Sequence, residues 1–296
     1  MDWKEIYKNR VTTAEKAVKV INDDDNVVFS DKAGIPQLII KALGERSYLV
    51  RESDKVAKNS VIDVAVISVS NPDNEGYCSF GVSCDFEAAK KAKIVIAEMN
   101  EMTPYTFGPL NKIHVSELDY IVHCAYHLPE YKPAIGELEK QIAQNCATLI
   151  PDGACLRLGT DAISQAVLLF LGDKFDLGIH TEMLSDGIVD LLGGGAVNNT
   201  KKNLHKGKVI ASYIQGTRKL YNFVDNNTRI ALYPLDYVND PGVVARNGNV
   251  FSINSDVNAD PMGISILAVP SAAVTIPTAN VDYLVTELGI TKMKKQ

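Results

Sequence analysis

Consecutive apolar runs alternate along this chain with stretches whose apolar residues recur every three or four positions. NVVFS (26–30) precedes PQLIIKALGER (36–46), and VIDVAVISVS (61–70) is followed by DFEAAKKA (85–92) and KIVIAEMN (93–100). Near-continuous β-branched runs predict strands buried on both faces, and the three- and four-residue spacing predicts the helices that cover them. The pattern restarts with a long predicted helix, IGELEKQIAQNCATLI (135–150), and a strand in PDGACLRLG (151–159). A helix in DAISQAVLLFLG, a strand in LGIHTEM and a helix in DGIVDLL come next. KVIASYIQG, TRKLYNFV and RIALYPLDYV continue the alternation. Strands separated by amphipathic helices predict an α/β chain with mainly parallel sheets. The most proline-rich stretch, HLPEYKP (127–133), sets the expected division into domains 1–134 and 135–296.

Composition narrows the picture. At 296 residues the chain is long enough for two domains, each with its own core. The net charge of −6 leaves no electrostatic footprint for nucleic acid. The longest apolar run, AVLLFL (166–171), falls far short of the roughly 18 residues a membrane span needs, so no membrane segment is expected. The N-terminal MDWKEIYKNR reads as a helix start without an apolar signal region. Five scattered cysteines without a CxxC pair point to a reducing cytoplasm rather than a disulfide framework.

Several short stretches invite chemical readings. LGIHTEMLSDG (177–187) places Glu182 just past a predicted strand, where open parallel sheets put their ligands, with Ser185 positioned to cap the next helix. Taken alone, a loop carboxylate of this kind is more often simply solvated. LRLGTDAIS (156–164) is a strand, a glycine and a helix opening, whose free N–H groups suit an anion or a developing oxyanion. Asp161 opposes that use, because its carboxylate caps the same N–H groups. GGGAVNN (193–199) lacks the Lys-Ser/Thr of a phosphate loop and reads as a turn. His123, Cys124 and His127 have no second ligand pair, so no metal site is expected. Asp23, Asp24 and Asp25 form a solvated turn.

Taken together, GIHTEMLSDGIVDLL, KGKVIASYIQGTRKLYNFVDNN, YPLDYVNDPGVVARNGNVFSIN and VDYLVTELGI closely resemble the acetyl-CoA hydrolase/transferase family, particularly its 4-hydroxybutyrate CoA-transferases. VSNPDNEGYCSFGVSCDFEAAKKAKIVIAEMN and IHVSELDYIV in the first half resemble the same family, in the family's order. The resemblance implies two similar CoA-transferase-like (NagB/RpiA-like) α/β domains with the active-site cleft between them. It also implies a homodimer, and a coenzyme A thioester as substrate with no permanently bound cofactor or metal. The family's catalytic glutamate, in G-I-H-[ST]-E-M, falls on Glu182. The implied reaction is ping-pong exchange of CoA between small carboxylic acids of the 4-hydroxybutyrate, butyrate or acetate type, through a glutamyl-CoA thioester. A carboxylate with an unperturbed pKa of about 4.3 needs no general base at neutral pH. Contacts to substrate and CoA are expected from Gly159, Thr160, Asp161, Ala162, Met183, Ser185, Asp186, Gly187 and Asn254. Acyl-CoA hydrolysis, or a catalytically impaired binding or partner subunit, are the alternatives.

The chain departs from the family pattern. It is shortened between SYLVRESDKV and NSVIDVAVISVS and between LAVPS and AVTIPT, and no G-G-Q-x-D-F motif stands between NADPMG and ISILAVPS. The family's L-G-I-G-A-I-P loop is L-G-T-D-A-I-S here, with Asp161 at the second glycine and Ser164 at the proline.

Overall fold

A computed structural model describes residues 2–44, 49–52, 61–84, 86–255, 264–269 and 281–293. The three shortened junctions of the sequence fall at 53–60, 256–263 and 270–280, outside the described residues. The chain divides into two compact units. The first comprises Met1–Glu130 with Tyr221–Thr228 and Leu232–Pro234, and the second comprises Tyr131–Leu220, Arg229–Ala231 and Leu235–Gln296. The first unit thus takes in a later return of the chain that no single cut in the sequence expresses.

In the first unit the elements are α1 (Trp3–Arg10), β1 (Val11–Thr12), α2 (Ala14–Ala17), β2 (Asn26–Phe29), α3 (Gln37–Leu43), β3 (Leu49–Glu52), β4 (Ile62–Val69), β5 (Tyr77–Ser79), α4 (Phe86–Lys91), β6 (Ala92–Asn100), β7 (Lys112–His114) and β8 (Tyr120–Cys124). Six strands form a sheet in the order β1-β8-β6-β4-β2-β3, and every neighbouring pair is parallel. The uninterrupted apolar run of β4 follows from this position. Val64 and Val66 face one core with Ile21, Ile39 and Leu43. Ala65, Ile67 and Val69 face the other with Phe80, Met99 and Ile113. A strand covered on both sides has no polar face to show, and each buried Val or Ile contributes about 1.5–3 kcal/mol.

In the second unit α5 (Glu137–Leu149), β9 (Cys155–Leu158), α6 (Ala162–Val167), β10 (Gly178–Ile179), β11 (Met183–Leu184), α7 (Gly187–Gly193), β12 (Val209–Ala211) and β13 (Tyr213–Ile214) come first. They are followed in the chain by α8 (Arg218–Val224) and β14 (Ile230–Leu232), whose residues from Tyr221 and at Leu232 belong to the first unit, and then by α9 (Leu235–Val238), α10 (Pro241–Ala245), β15 (Val250–Asn254), β16 (Ile264–Ala268), β17 (Tyr283–Thr286) and β18 (Gly289–Lys292). Its main sheet runs β10-β9-β15-β16-β17-β18, parallel except for the β17–β18 pair. Separate two-stranded ladders join β11 to β13 and β12 to β14.

Two predicted strands are not continuous. LGIHTEM divides into β10 and β11, and KVIASYIQG divides into β12 and β13. The break is a change of partner: β10 pairs with β9, whereas β11 pairs with β13. RIALYPLDYV is the strand β14 followed by the short helix α9. Among the described residues no helix is long and apolar enough to cross a membrane.

Candidate active site

Glu182 stands where the chain changes partners. His180 N donates to Leu156 O at 3.0 Å, still on the main sheet, and Thr181 N donates to Ile210 O at 3.0 Å, already on the next ladder. The Glu182 carbonyl accepts from both Ser212 N (2.9 Å) and Tyr213 N (3.1 Å). The Thr181 hydroxyl accepts from Leu158 N at 3.1 Å and donates to Leu158 O at 3.0 Å, closing the end of β9 against this crossing. The backbone on either side of the glutamate is therefore held by paired hydrogen bonds, while its side chain is half-buried.

Asn239, just past α9, donates from Nδ2 to Glu182 Oε2 at 3.0 Å. Its Oδ1 accepts from Arg157 Nη2 at 2.9 Å. Arg157 lies on β9 between buried Leu156 and Leu158. Burial pushes the guanidinium pKa down, and the nearby Glu182 charge opposes that shift. His180 is buried, with Nε2 3.0 Å from Val238 O, so the neutral ring donates from Nε2 to the carbonyl preceding Asn239. Burial, aided by the charges of Lys202, Arg157 and His205, pushes the His180 pKa down to about 4. Lys202 is buried beneath the same strand and donates from Nζ to Ile179 O and Lys208 O, both at 2.8 Å. Its pKa is pushed down by burial to about 8. Gly178 leaves room for it, since a Cβ there would lie 2.5 Å from Lys202 Cγ.

The loop before α6 forms a second cluster. Asp161 is the N-cap of α6, accepting from Ser164 N at 2.9 Å and from Ser164 Oγ at 2.6 Å. Ser164 Oγ also lies 3.1 Å from Ile253 O. A Cβ on Gly159 would meet Asp161 Oδ2 at 2.5 Å, Ser164 Oγ at 2.9 Å and Asn254 Oδ1 at 3.2 Å, so only glycine allows this packing. Gln165 Nε2 donates to Gly159 O at 2.8 Å, and Ser185 Oγ donates to Gln165 Oε1. Gln165 thus ties the Gly159 loop to the segment that follows Glu182.

Of the residues singled out in the sequence, Gly159, Asp161 and Asn254 converge, and Ser185 joins them through Gln165. Thr160 is exposed, Ala162 opens α6 in a partly buried position, and Met183 is buried in β11. Ser185 does not cap α7, contrary to expectation. The N-cap position is Asp186, which makes no side-chain cap bond, and the serine hydroxyl is engaged by Gln165 instead. The Asp186 carboxylate turns to Thr217, accepting from its N at 2.8 Å and from its Oγ1. Gly187 lies against Leu168, where a Cβ would come within 2.8 Å of Leu168 Cβ. Elsewhere, His123 Nε2 lies 2.7 Å from the Tyr7 hydroxyl and the Cys124 thiol faces Glu98. Among the described residues no group of three or more His, Cys, Asp or Glu is placed to hold a metal ion.

Residue order alone does not single out Asn239, Arg157 or His180 as site residues. Arg157 carried a signal: an arginine between leucines on a doubly covered strand requires a polar partner. Asn239, in the stretch DYVNDPG, had none short of the fold.

Two α/β units with mainly parallel sheets match the fold of CoA-transferase structures. The structure of 4-hydroxybutyrate CoA-transferase from Porphyromonas gingivalis superposes with a TM-score of 0.89, at 34% identity, covering 99% of this chain and 92% of that one. The acetyl-CoA hydrolase/transferase N-terminal domain matches residues 47–126, and the C-terminal domain of the same name matches residues 216–268. The 4-hydroxybutyrate coenzyme A transferase of Clostridium kluyveri is 38% identical, over 99% of this chain and 93% of that protein. Succinyl-CoA:cyclohexane-1-carboxylate CoA transferase of Geobacter metallireducens is 37% identical, over 79% of this chain and 65% of that protein. This chain belongs to the acetyl-CoA hydrolase/transferase family. The Clostridium kluyveri alignment spans 399 positions against 296 residues here, so more than a hundred of its positions face gaps in this chain.

Proposed function

We propose that this protein is a CoA-transferase that exchanges coenzyme A between small carboxylic acids, with Glu182 as the nucleophile. Its substrates are acyl-CoA thioesters and carboxylates of the 4-hydroxybutyrate, butyrate or acetate type, and no bound cofactor takes part. One carboxylate oxygen of Glu182 attacks the thioester carbonyl, the C–S bond breaks, and CoA leaves as the thiolate from a mixed anhydride. The thiolate attacks the glutamyl carbonyl and expels the first acid, leaving a glutamyl-CoA thioester. A second carboxylate attacks that thioester and expels the thiolate, which then attacks the acyl carbonyl of the new anhydride and restores Glu182. No proton changes hands, consistent with a site that needs no general base. The observation that carries this reading is the Asn239 Nδ2 donor 3.0 Å from Glu182 Oε2, on a glutamate whose own carbonyl is doubly hydrogen-bonded. That donor stays useful when Oε2 becomes first a carbonyl and then the oxyanion under thiolate attack.

Asp161 bears on the rate. Its carboxylate already holds Ser164 N, a donor at the helix opening suited to an oxyanion, and adds negative charge there. Losing one such donor costs about 2.7–4 kcal/mol, so the transfer is slow. Five free cysteines support a cytoplasmic setting, and the family resemblance supports a homodimer, which light scattering would test.

The decisive test is trapping. Protein incubated with butyryl-CoA and treated with borohydride should gain a modification on the peptide containing residue 182, and Glu182→Gln should show neither modification nor turnover. An unmodified wild-type peptide would refute the assignment.

A further inference from the structure

We propose that Arg157 is a positioning residue of the transfer reaction, acting through Asn239 to hold that amide's NH2 against the Glu182 carboxylate. An asparagine amide fits its site in two orientations related by a flip, and its partners decide between them. Here the partners leave no choice. The guanidinium has only donors and the ionised carboxylate only acceptors, so Oδ1 must face Arg157 (2.9 Å) and Nδ2 must face Glu182 (3.0 Å). The Glu182 carboxylate disfavours the flipped amide, whose Oδ1 would repel it, and Arg157 disfavours it a second time from the other end.

The arginine also strengthens the bond it sets. A cation at the oxygen end of an amide polarises it and makes its N–H a better donor. The positive charge thus reaches Glu182 through a neutral side chain, which can stay in place as Oε2 passes from carboxylate to carbonyl to oxyanion. The main chain supports the relay. β9 is fixed between β10 and β15, and Val238, next to Asn239, is held by His180 Nε2. Both ends of the Arg157–Asn239 bond are therefore mounted on packed backbone.

The relay acts on the glutamyl carbonyl and not on the CoA chain, so its loss should appear in kcat. Its worth is that of a hydrogen bond to a charged group, about tenfold or more in rate. The inference rests on Glu182 as nucleophile, and the test separates the two. Wild type, Arg157→Gln, Asn239→Ala and the double variant are assayed for butyryl-CoA:acetate exchange, alongside borohydride trapping on wild type. Arg157→Gln should lower kcat about tenfold while KM for the thioester stays within about twofold. In the Asn239→Ala background it should have no further effect, because the residue through which it acts is gone. Arg157→Lys, which keeps the charge and a donor, should recover part of the rate, and it carries the same cycle if the glutamine variant fails to fold. Equal losses in both backgrounds, or a loss confined to KM, would overturn the role of Arg157. Absence of the trapped adduct on wild type would instead remove the nucleophile assignment.

Discussion

Acidification should weaken the glutamate-bearing unit through its buried and half-buried imidazoles, His180 above all. His180 is buried and donates to Val238 O, and its pKa in the fold is about 4 against 6.5 for an ordinary histidine. The fold accepts only the neutral ring. Below pH 6.5 the unfolded chain takes up a proton that the folded chain refuses until about pH 4, so stability falls with pH across that window. At pH 5 the accumulated loss is about 2 kcal/mol, and it approaches about 3 kcal/mol at pH 4. Glu98, whose buried carboxyl is raised, titrates in the opposite sense but contributes equally to any pair of variants that retain it. The comparison is therefore wild type against His180→Gln, which keeps an N–H donor for Val238 O and cannot titrate. In urea melts at pH 7.5 and pH 5, the stability advantage of wild type over the variant should shrink by about 2 kcal/mol. In parallel, the histidine NMR resonance missing from the variant should titrate near pH 4 in wild type. A stability difference that does not change with pH, or a His180 resonance titrating near 6.5, would refute the account of a ring kept neutral by burial.

Two further substitutions separate reactivity from packing. Asp161→Gly should raise kcat by releasing Ser164 N, while lowering stability by only about a few tenths of a kcal/mol through the lost N-cap, since glycine is itself a tolerated cap; an unchanged or lower rate in a folded variant would sink the first half of that statement. Gly187→Ala should lower Tm through overpacking against Leu168, at about 1–3 kcal/mol, and leave KM for the thioester unchanged; a raised KM at constant Tm would make Gly187 a substrate contact after all.

Some of this site could be read directly from residue order. The apolar runs of β4 and β6 announced a doubly covered parallel sheet, because residues buried on both faces cannot alternate in polarity. Asp161 as an N-cap followed from its place before a helical run, and Ser164 meets it as capping geometry requires. The site's electrostatic partners were not legible. Arg157 and Asn239 are 82 residues apart in the chain, and their meeting depends on α9 ending where β9 can reach it. Ser185 misled for a related reason. Local pattern assigned its hydroxyl to the next helix, but Gln165, 20 residues earlier, takes it instead. Long-range partners outcompete local caps wherever packing delivers them, and the local pattern records only the caps.

The double hydrogen bond on the Glu182 carbonyl has a consequence for motion. The amide protons of Ser212 and Tyr213 are locked onto the residue proposed to make and break bonds, so their exchange with solvent reports the opening of that one corner. Acylation of the carboxylate would not disturb either bond, so the proposed chemistry needs only rotation about side-chain bonds over this held main chain. On the proposed reading, the reactive atom is carried on a short side chain whose backbone anchor is held by two hydrogen bonds.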